Sequence, residues 1–126
     1  MKKVKLAELA FARSGDKGDV SNIGLMAKSK NIYDYLAKVI TPEKVKEYFG
    51  GMVKGGVEIY PVPHLDSLEI ILRQALGGGA TCTLRFDQTG KSMGPVLLGM
   101  EIQASEELLE EAKAVDRDIV KKYAVD

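Results

Sequence analysis

The chain has 126 residues, 45% of them hydrophobic and 29% charged, with 18 basic and 18 acidic side chains and a formal net charge of zero. That length suits one domain, spanning 1–126, that buries roughly two thirds of its unfolded surface. The charge balance argues against a protein held to nucleic acid or anionic lipid by its overall field.

The single cysteine, Cys82, rules out an internal disulfide and fits a reducing cytoplasm. One histidine and no tryptophan leave no ordinary metal-ligand arithmetic, and nothing in the composition calls for a cofactor. The start, Met1-Lys2-Lys3-Val4-Lys5, has the charge of a signal-peptide n-region, but the apolar stretch after it is short and contains Glu8. No run approaches the ~18 apolar residues of a membrane helix.

Val4 to Arg13 is apolar on both parities: Val4, Leu6, Ala10 and Ala12 on one, Ala7, Leu9 and Phe11 on the other. The pattern predicts a strand covered on both faces, with a helix as the alternative because Ala, Leu and Glu are good helix formers. Val20 to Lys28 predicts a half-buried strand with Ile23, Leu25 and Ala27 inward. Gly24 within it suggests a bulge or a close backbone approach. Ser14 to Asp19 would join the two strands as the loop of a wide hairpin.

Asn31 to Val39 predicts a short helix from Ile32, Leu36, Val39 and Ile40. Thr41-Pro42-Glu43 restarts a second, with threonine as N-cap, proline at the first helical position and a carboxylate against the helix dipole. Val45, Tyr48, Phe49 and Met52 form its stripe, and Gly50-Gly51 stops it. Val57 to Tyr60 predicts a strand ended by Pro61 and Pro63. Asp66, with Glu69 three residues on, reads as a capping box. Leu68, Ile71, Leu72, Ala75 and Leu76 then predict a helix terminated by Gly77-Gly78-Gly79.

Thr81 to Phe86 predicts a strand and Asp87 to Gly90 a turn. Lys91 to Ile102 fits either a strand broken at Gly94-Pro95 or a hairpin arm followed by a helical turn at Val96 to Leu98. Ser105, Glu106 and Glu107 open a last helix, whose stripe is Leu108, Ala112, Val115, Ile119 and Tyr123. The whole predicts an α+β domain: a mainly antiparallel sheet with helices packed on one face, and a strand–helix–strand crossover from Val57 to Phe86.

The densest chemistry lies in Arg13-Ser14-Gly15-Asp16-Lys17-Gly18-Asp19. Glycines at 15 and 18 allow backbone N–H groups to turn inward as an anion nest. Arg13 and Lys17 would add charge for a carboxylate or phosphate. Asp16 and Asp19 would orient Lys17, accept from a hydroxyl or act as acid or base. A tight turn with Arg13 paired to an aspartate is the structural alternative.

Gly77-Gly78-Gly79-Ala80-Thr81 carries more glycine than a helix cap requires. It predicts either a close approach by a ligand, strand or subunit, or a flexible connection. Gly90-Lys91-Ser92 mimics the end of a phosphate-binding P-loop, but Arg85 stands where that motif needs its first glycine. Arg85 and Lys91 would still add positive potential beside Arg13. The dinucleotide fingerprint fails too, because Cys82 takes its last glycine position. His64 reads as a partly buried loop histidine and Cys82 as a core residue.

Ala12 to Asp19 followed by Asn22-Ile23-Gly24 resembles the signature opening the C-terminal domain of the acyclic terpene utilisation (AtuA-like) family. Collinear matches follow: Thr41 before the Val45 and Tyr48 helix, Val57 to Pro63, Leu76 to Gly79, Leu84-Arg85-Phe86-Asp87, Gly90-Lys91 and Leu97-Leu98. The resemblance reaches about Ile102 and leaves out the helix from Ser105. It implies a ferredoxin-like α+β sandwich, here as a free-standing small protein. It also implies a link to catabolism of acyclic terpenes and related acyl-CoA compounds, and a larger AtuA-type subunit as partner. A family pattern centred on Arg13 to Asp19 favours a site or an obligatory interface over a generic turn.

Three functions are therefore expected. The first is an accessory or ligand-binding subunit holding an anionic group, a small carboxylate or an acyl-CoA phosphate. Its site would comprise Arg13, Ser14, Gly15, Asp16, Lys17, Gly18, Asp19, Asn22, Gly77, Gly78, Gly79, Thr81 and Arg85. The second is a hydratase- or isomerase-like enzyme on acyl-CoA thioesters, with Asp16, Asp19 or Lys17 as catalytic candidates and the Gly77 to Gly79 amides stabilising an oxyanion. The third is a structural module whose Arg13 loop docks the large partner or forms the interface of a dimer or larger homo-oligomer, with Arg13 paired to a carboxylate of the other chain.

Overall fold

The computed structural model describes residues 1–17, 20–74 and 93–123, with the backbone alone for 16–17 and 120–123. Strand β1 is Lys2–Lys5, followed by a 3-10 turn at Leu6–Glu8. Then come β2 (Ala10–Lys17), β3 (Val20–Ala27), helix α1 (Lys30–Val39) and helix α2 (Pro42–Phe49). Strands β4 (Val57–Val62) and β5 (Ser67–Arg73) follow, with the 3-10 turn Pro63–Leu65 between them. A helical segment α3 (93–97), strand β6 (Glu101–Ala104) and helix α4 (Glu106–Tyr123) close the chain.

All described strand pairs are antiparallel. One sheet has the order β2-β3-β5-β4, and β1 pairs with β6 in a second, two-stranded sheet. Two hairpins, β2–β3 and β4–β5, are separated in sequence by α1 and α2. They join where β3 meets β5, with Ile23 opposite Ile70 and Leu25 opposite Leu68.

The side chains that alternate inward make the core. Ser21, Ile23 and Leu25 on β3 and Leu68, Ile70 and Leu72 on β5 are all at most 3% exposed. Burying each of the large aliphatic side chains among them, Ile23, Leu25, Leu68, Ile70 and Leu72, stabilises by about 1.5–3 kcal/mol. Ile32, Leu36, Val45, Phe49, Met93 and Leu97 from α1, α2 and α3 complete the same core.

The helix starts follow local chemistry. The Ser29 hydroxyl accepts from the Ile32 N–H at 3.2 Å, and Thr41 Oγ1 accepts from the Lys44 N–H at 3.2 Å, with Pro42 at the first helical position. Gly50, at φ 57°, ends α2 in backbone that favours glycine. Ser105 Oγ accepts from the Leu108 N–H at 3.3 Å at the start of α4.

Several expectations are corrected. The segment predicted as a helix from Asp66 is β5 through Arg73. Leu68, Ile70 and Leu72 point inward at period two while Ser67, Glu69 and Ile71 point outward. Asp66 is not an N-cap; it sits in left-handed backbone at φ 50° at the end of the turn. The strand–helix–strand crossover is thus replaced by a hairpin.

Pro61 does not end β4 but lies within it, opposite Leu68, because β4 is an edge strand among the described strands and can spare a ladder donor. The strand predicted from Val4 to Arg13 is two strands split by the 3-10 turn, whose Leu6 and Ala7 N–H groups bond Met100 and Leu98 carbonyls. Gly24 makes no bulge, since the β2–β3 and β3–β5 registers run through it unbroken.

The hairpin is not wide: Ser14 to Lys17 are strand, and the last register pair, Lys17 with Val20, leaves two residues between the strands. Among the described side chains of α4 the buried ones are Leu109 and Ala112, whereas Ile119 of the expected stripe is 39% exposed. The helical turn expected near Val96 is present as α3. Gly94 lets α3 approach β2: a Cβ there would stand 3.2 Å from Ser14 Oγ and 3.4 Å from the Ala12 Cβ.

A candidate anion-binding face on the open side of the sheet

The strand alternation that sends Ser21, Ile23 and Ile70 inward sends a different set outward. Across the four strands, in register, one row reads Arg13, Gly24, Glu69 and Tyr60. The row toward the β4–β5 turn reads Phe11, Met26, Ser67 and Val62; the row on the other side reads Gly15, Asn22, Ile71 and Glu58. Phe11, Met26 and Tyr60 are 42%, 47% and 51% exposed, and Leu65 at the turn is 57% exposed. This is large apolar surface on one side of the sheet, not scattered single residues.

Gly24 shapes the face. With no side chain there, a furrow runs between Arg13 and Glu69 and opens into a concavity of about 530 Å³, lined among others by Phe11, Arg13, Gly24, Met26, Leu65 and Glu69. The Arg13 side chain is exposed and forms no ion pair among the described residues. Glu69 Oε1 accepts from Asn22 Nδ2 at 2.9 Å, which orients the carboxylate. Its Oε2 lies over Gly24, 3.5 Å from where a Cβ would stand. A guanidinium and an oriented carboxylate therefore face each other across bare backbone.

At the β4 edge, Glu58 is held by two donors, Arg73 Nε and the Tyr60 hydroxyl. The Arg73 hydrogen bond, and secondly that from Tyr60, keep the Glu58 carboxyl below its ordinary range. The same bond to Glu58 pushes the Tyr60 phenol up. Arg73 is thus already neutralised, unlike Arg13. Lys28 bounds the opposite end, its side chain only 5% exposed, with its Nζ 2.9 Å from Asp116 Oδ2 on α4 and 5.1 Å from the Phe11 ring centre.

The structure brings together Arg13, Gly15 and Asn22 of the expected site. Gly15 is strand, and a Cβ on it would meet Asn22 Oδ1 at 3.3 Å. Ser14 points to the other side, against Gly94, so it belongs to the packing of α3. Ser21, fully buried, donates to the Gly15 carbonyl at 3.1 Å. Asp16 and Lys17 have strand backbone. Their side chains, and Gly18, Asp19, Gly77, Gly78, Gly79, Thr81, Cys82, Arg85, Lys91 and Ser92, lie outside the described residues. So does the expected strand over 81–86.

His64 is exposed in the 3-10 turn rather than partly buried. Glu69 was not among the expected site residues; the period-two alternation of 67–73 is the signal that would have placed it on this face. No cluster of three His, Cys, Asp or Glu suited to a metal ion occurs among the described residues, and no described helix is long and apolar enough to cross a membrane.

Antiparallel strands with helices over one face, and no described helix over the other, define an α+β domain of ferredoxin-like type. Residues 4–103 match the AtuA ferredoxin-like domain, and the chain belongs to that family. Helix α4 begins beyond the match. No curated protein and no solved structure matches the chain.

Proposed function

We propose that the chain is an accessory or ligand-binding module that engages an anionic group through Arg13 on the open face of its sheet, acting with a larger AtuA-type subunit in the catabolism of acyclic terpenes or acyl-CoA compounds. One observation carries the reading. Arg13 projects, exposed and without an ion pair among the described residues, at the rim of a furrow floored by Gly24. Guanidinium groups bind carboxylates and phosphates with paired donors, so an Arg left open beside a concavity suits such a group. The apolar neighbours Phe11, Met26 and Leu65 would accept the nonpolar part of the same molecule.

Calorimetry with small carboxylates and acyl-CoAs, comparing wild type with Arg13→Ala, tests this. The expected result is binding by wild type weakened at least about tenfold in the variant, in line with a lost charge-assisted hydrogen bond. Equal binding by both proteins, or none by either, removes the reading.

A further inference from the structure

We infer that two copies of this chain pair through the face that carries Arg13, and that Glu69 of the second copy takes, in the dimer, the place at Arg13 that an anionic ligand takes in the single chain. The inference rests on the reading of Arg13 as an anion anchor and names its partner. It starts from the register. Arg13 and Glu69 occupy the same row, one strand to either side of Gly24. Neighbouring strands lie about 4.8 Å apart, so the two residues are symmetric about β3 at about that distance on each side.

Two sheets meeting face to face under two-fold symmetry need an axis lying in the plane between them. Two simple orientations exist. An axis across the strands, along the row, sets Arg13 over Arg13 and Glu69 over Glu69, which is repulsive at both places. An axis along β3 sets Arg13 over Glu69 of the second copy and Glu69 over its Arg13. The charges of this face therefore select the second arrangement. Both orientations keep the strands of the two sheets aligned, at a separation of about 10 Å that Arg and Glu side chains can span.

The rest of the face fits the same axis. Gly24 lies on it, so the space it leaves is doubled and takes the two ion pairs. Met26 lies on it too and would meet its own copy, burying a side chain that is 47% exposed in the single chain. Phe11 would lie over Ser67 of the second copy, a large residue against a small one. By the same register Arg73 falls opposite Lys17 of the second copy, a like-charge pair that the Glu58 carboxylate bonded to Arg73 offsets. An exposed ion pair contributes little, but one enclosed between sheets is strengthened by the loss of water and selects its partner.

The test is the mass of the intact chain by sedimentation equilibrium over a concentration series, for wild type, Arg13→Glu, Glu69→Arg and the double exchange. Thermal melts check that each variant is folded. A dimer is expected for wild type. Each single reversal should weaken it at least about tenfold, and the double exchange should restore it to within a few-fold. Met26→Glu, which leaves Arg13 untouched, should also disperse the dimer, because it places two carboxylates on the axis.

A dimer indifferent to all these changes uses another surface and overturns the inference. A wild-type monomer that still binds small carboxylates through Arg13 overturns the inference and leaves the function proposal standing. A wild-type monomer whose ligand binding ignores Arg13→Ala overturns both. If only the larger AtuA-type subunit shifts the mass, and reversal at Arg13 abolishes that shift, the face serves that subunit and the pairing of copies is wrong.

Discussion

The two sides of one four-stranded sheet have opposite characters, although they alternate residue by residue along the same strands. The inner side carries Ser21, Ile23, Leu25, Leu68, Ile70 and Leu72, closed over by α1, α2 and α3. The outer side carries Arg13, Asn22, Met26, Glu69 and Tyr60, with no described helix upon it. The inner side is specified by packing, so volume matters there. The outer side is specified by the order of charges and gaps, so it can change without unfolding the chain. Stability should therefore reside on one side and recognition on the other.

The largest expected effect breaks the inner side. Ile70→Ala should cost about 2–5 kcal/mol, because a cavity opens where Ile70 meets Ile23 in register. Asn22→Ala, on the adjacent strand but facing outward, should change stability by no more than about 0.5 kcal/mol when the chain is monomeric. Urea denaturation of the two variants measures the contrast. Equal losses would mean that the outer face is also packed by this chain itself.

Next is the edge that holds the second hairpin. A Cβ on Gly55 would lie 2.7 Å from the Arg73 carbonyl oxygen, which also accepts the Gly55 N–H at 2.9 Å. Backbone cannot step aside as a flexible side chain can, so Gly55→Ala should cost about 1–3 kcal/mol. Gly51→Ala, with open space around it, is the control and should be near neutral.

A smaller effect is expected where the outer side is tied to α4. Lys28 is nearly buried between Asp116 and the Phe11 ring, while Asp116 is 48% exposed. Removing a deeply buried partner can cost 3–5 kcal/mol, but solvent at Asp116 screens this pair, so Lys28→Met should lose about 1–2 kcal/mol. Lys28→Met should also weaken the seating of Phe11, which hydrogen exchange at β2 and α4 would report.

The sidedness of the sheet was only partly legible in the sequence. Signals read within a few residues were sound: Ser105, Thr41-Pro42 and Gly50 act through bonds to their own helices. Residues 68–76 misled because Leu68, Ile71, Leu72, Ala75 and Leu76 fit a helical period, while Leu68, Ile70 and Leu72 equally fit a strand. The decision is made by pairing with β3, more than forty residues away, which no local window contains.

Asp66 misled for a related reason. Aspartate suits a helix N-cap and also tolerates left-handed backbone, and here the second use prevailed. The Arg13 cluster stood out from its composition, yet its face did not, because a one-residue change of register sends a side chain to the opposite side. Ser14 and Arg13 are neighbours in sequence and lie on opposite sides of the sheet. Glu69 was hidden by the same misreading that made β5 a helix.

The smallest effect concerns acid, and it tests whether α4 is held to α1 by more than apolar contact. Glu111 on α4 accepts hydrogen bonds from the Ser29 hydroxyl and, at 3.0 Å, from Asn31 Nδ2, so one carboxylate ties α4 to the start of α1. The Ser29 bond, and secondly the Asn31 bond, hold its pKa below the usual 4.5. A carboxyl with a lowered folded pKa stabilises the fold above its unfolded pKa, and that contribution fades as pH falls through the folded value. Wild type should therefore exceed Glu111→Gln in melting temperature at neutral pH, and the gap should close below the ordinary carboxylate range. A gap that persists unchanged in acid would show that the Glu111 contacts do not depend on its charge; no gap at either pH would leave the apolar contacts of α4, Leu109 and Ala112 among them, to hold the helix.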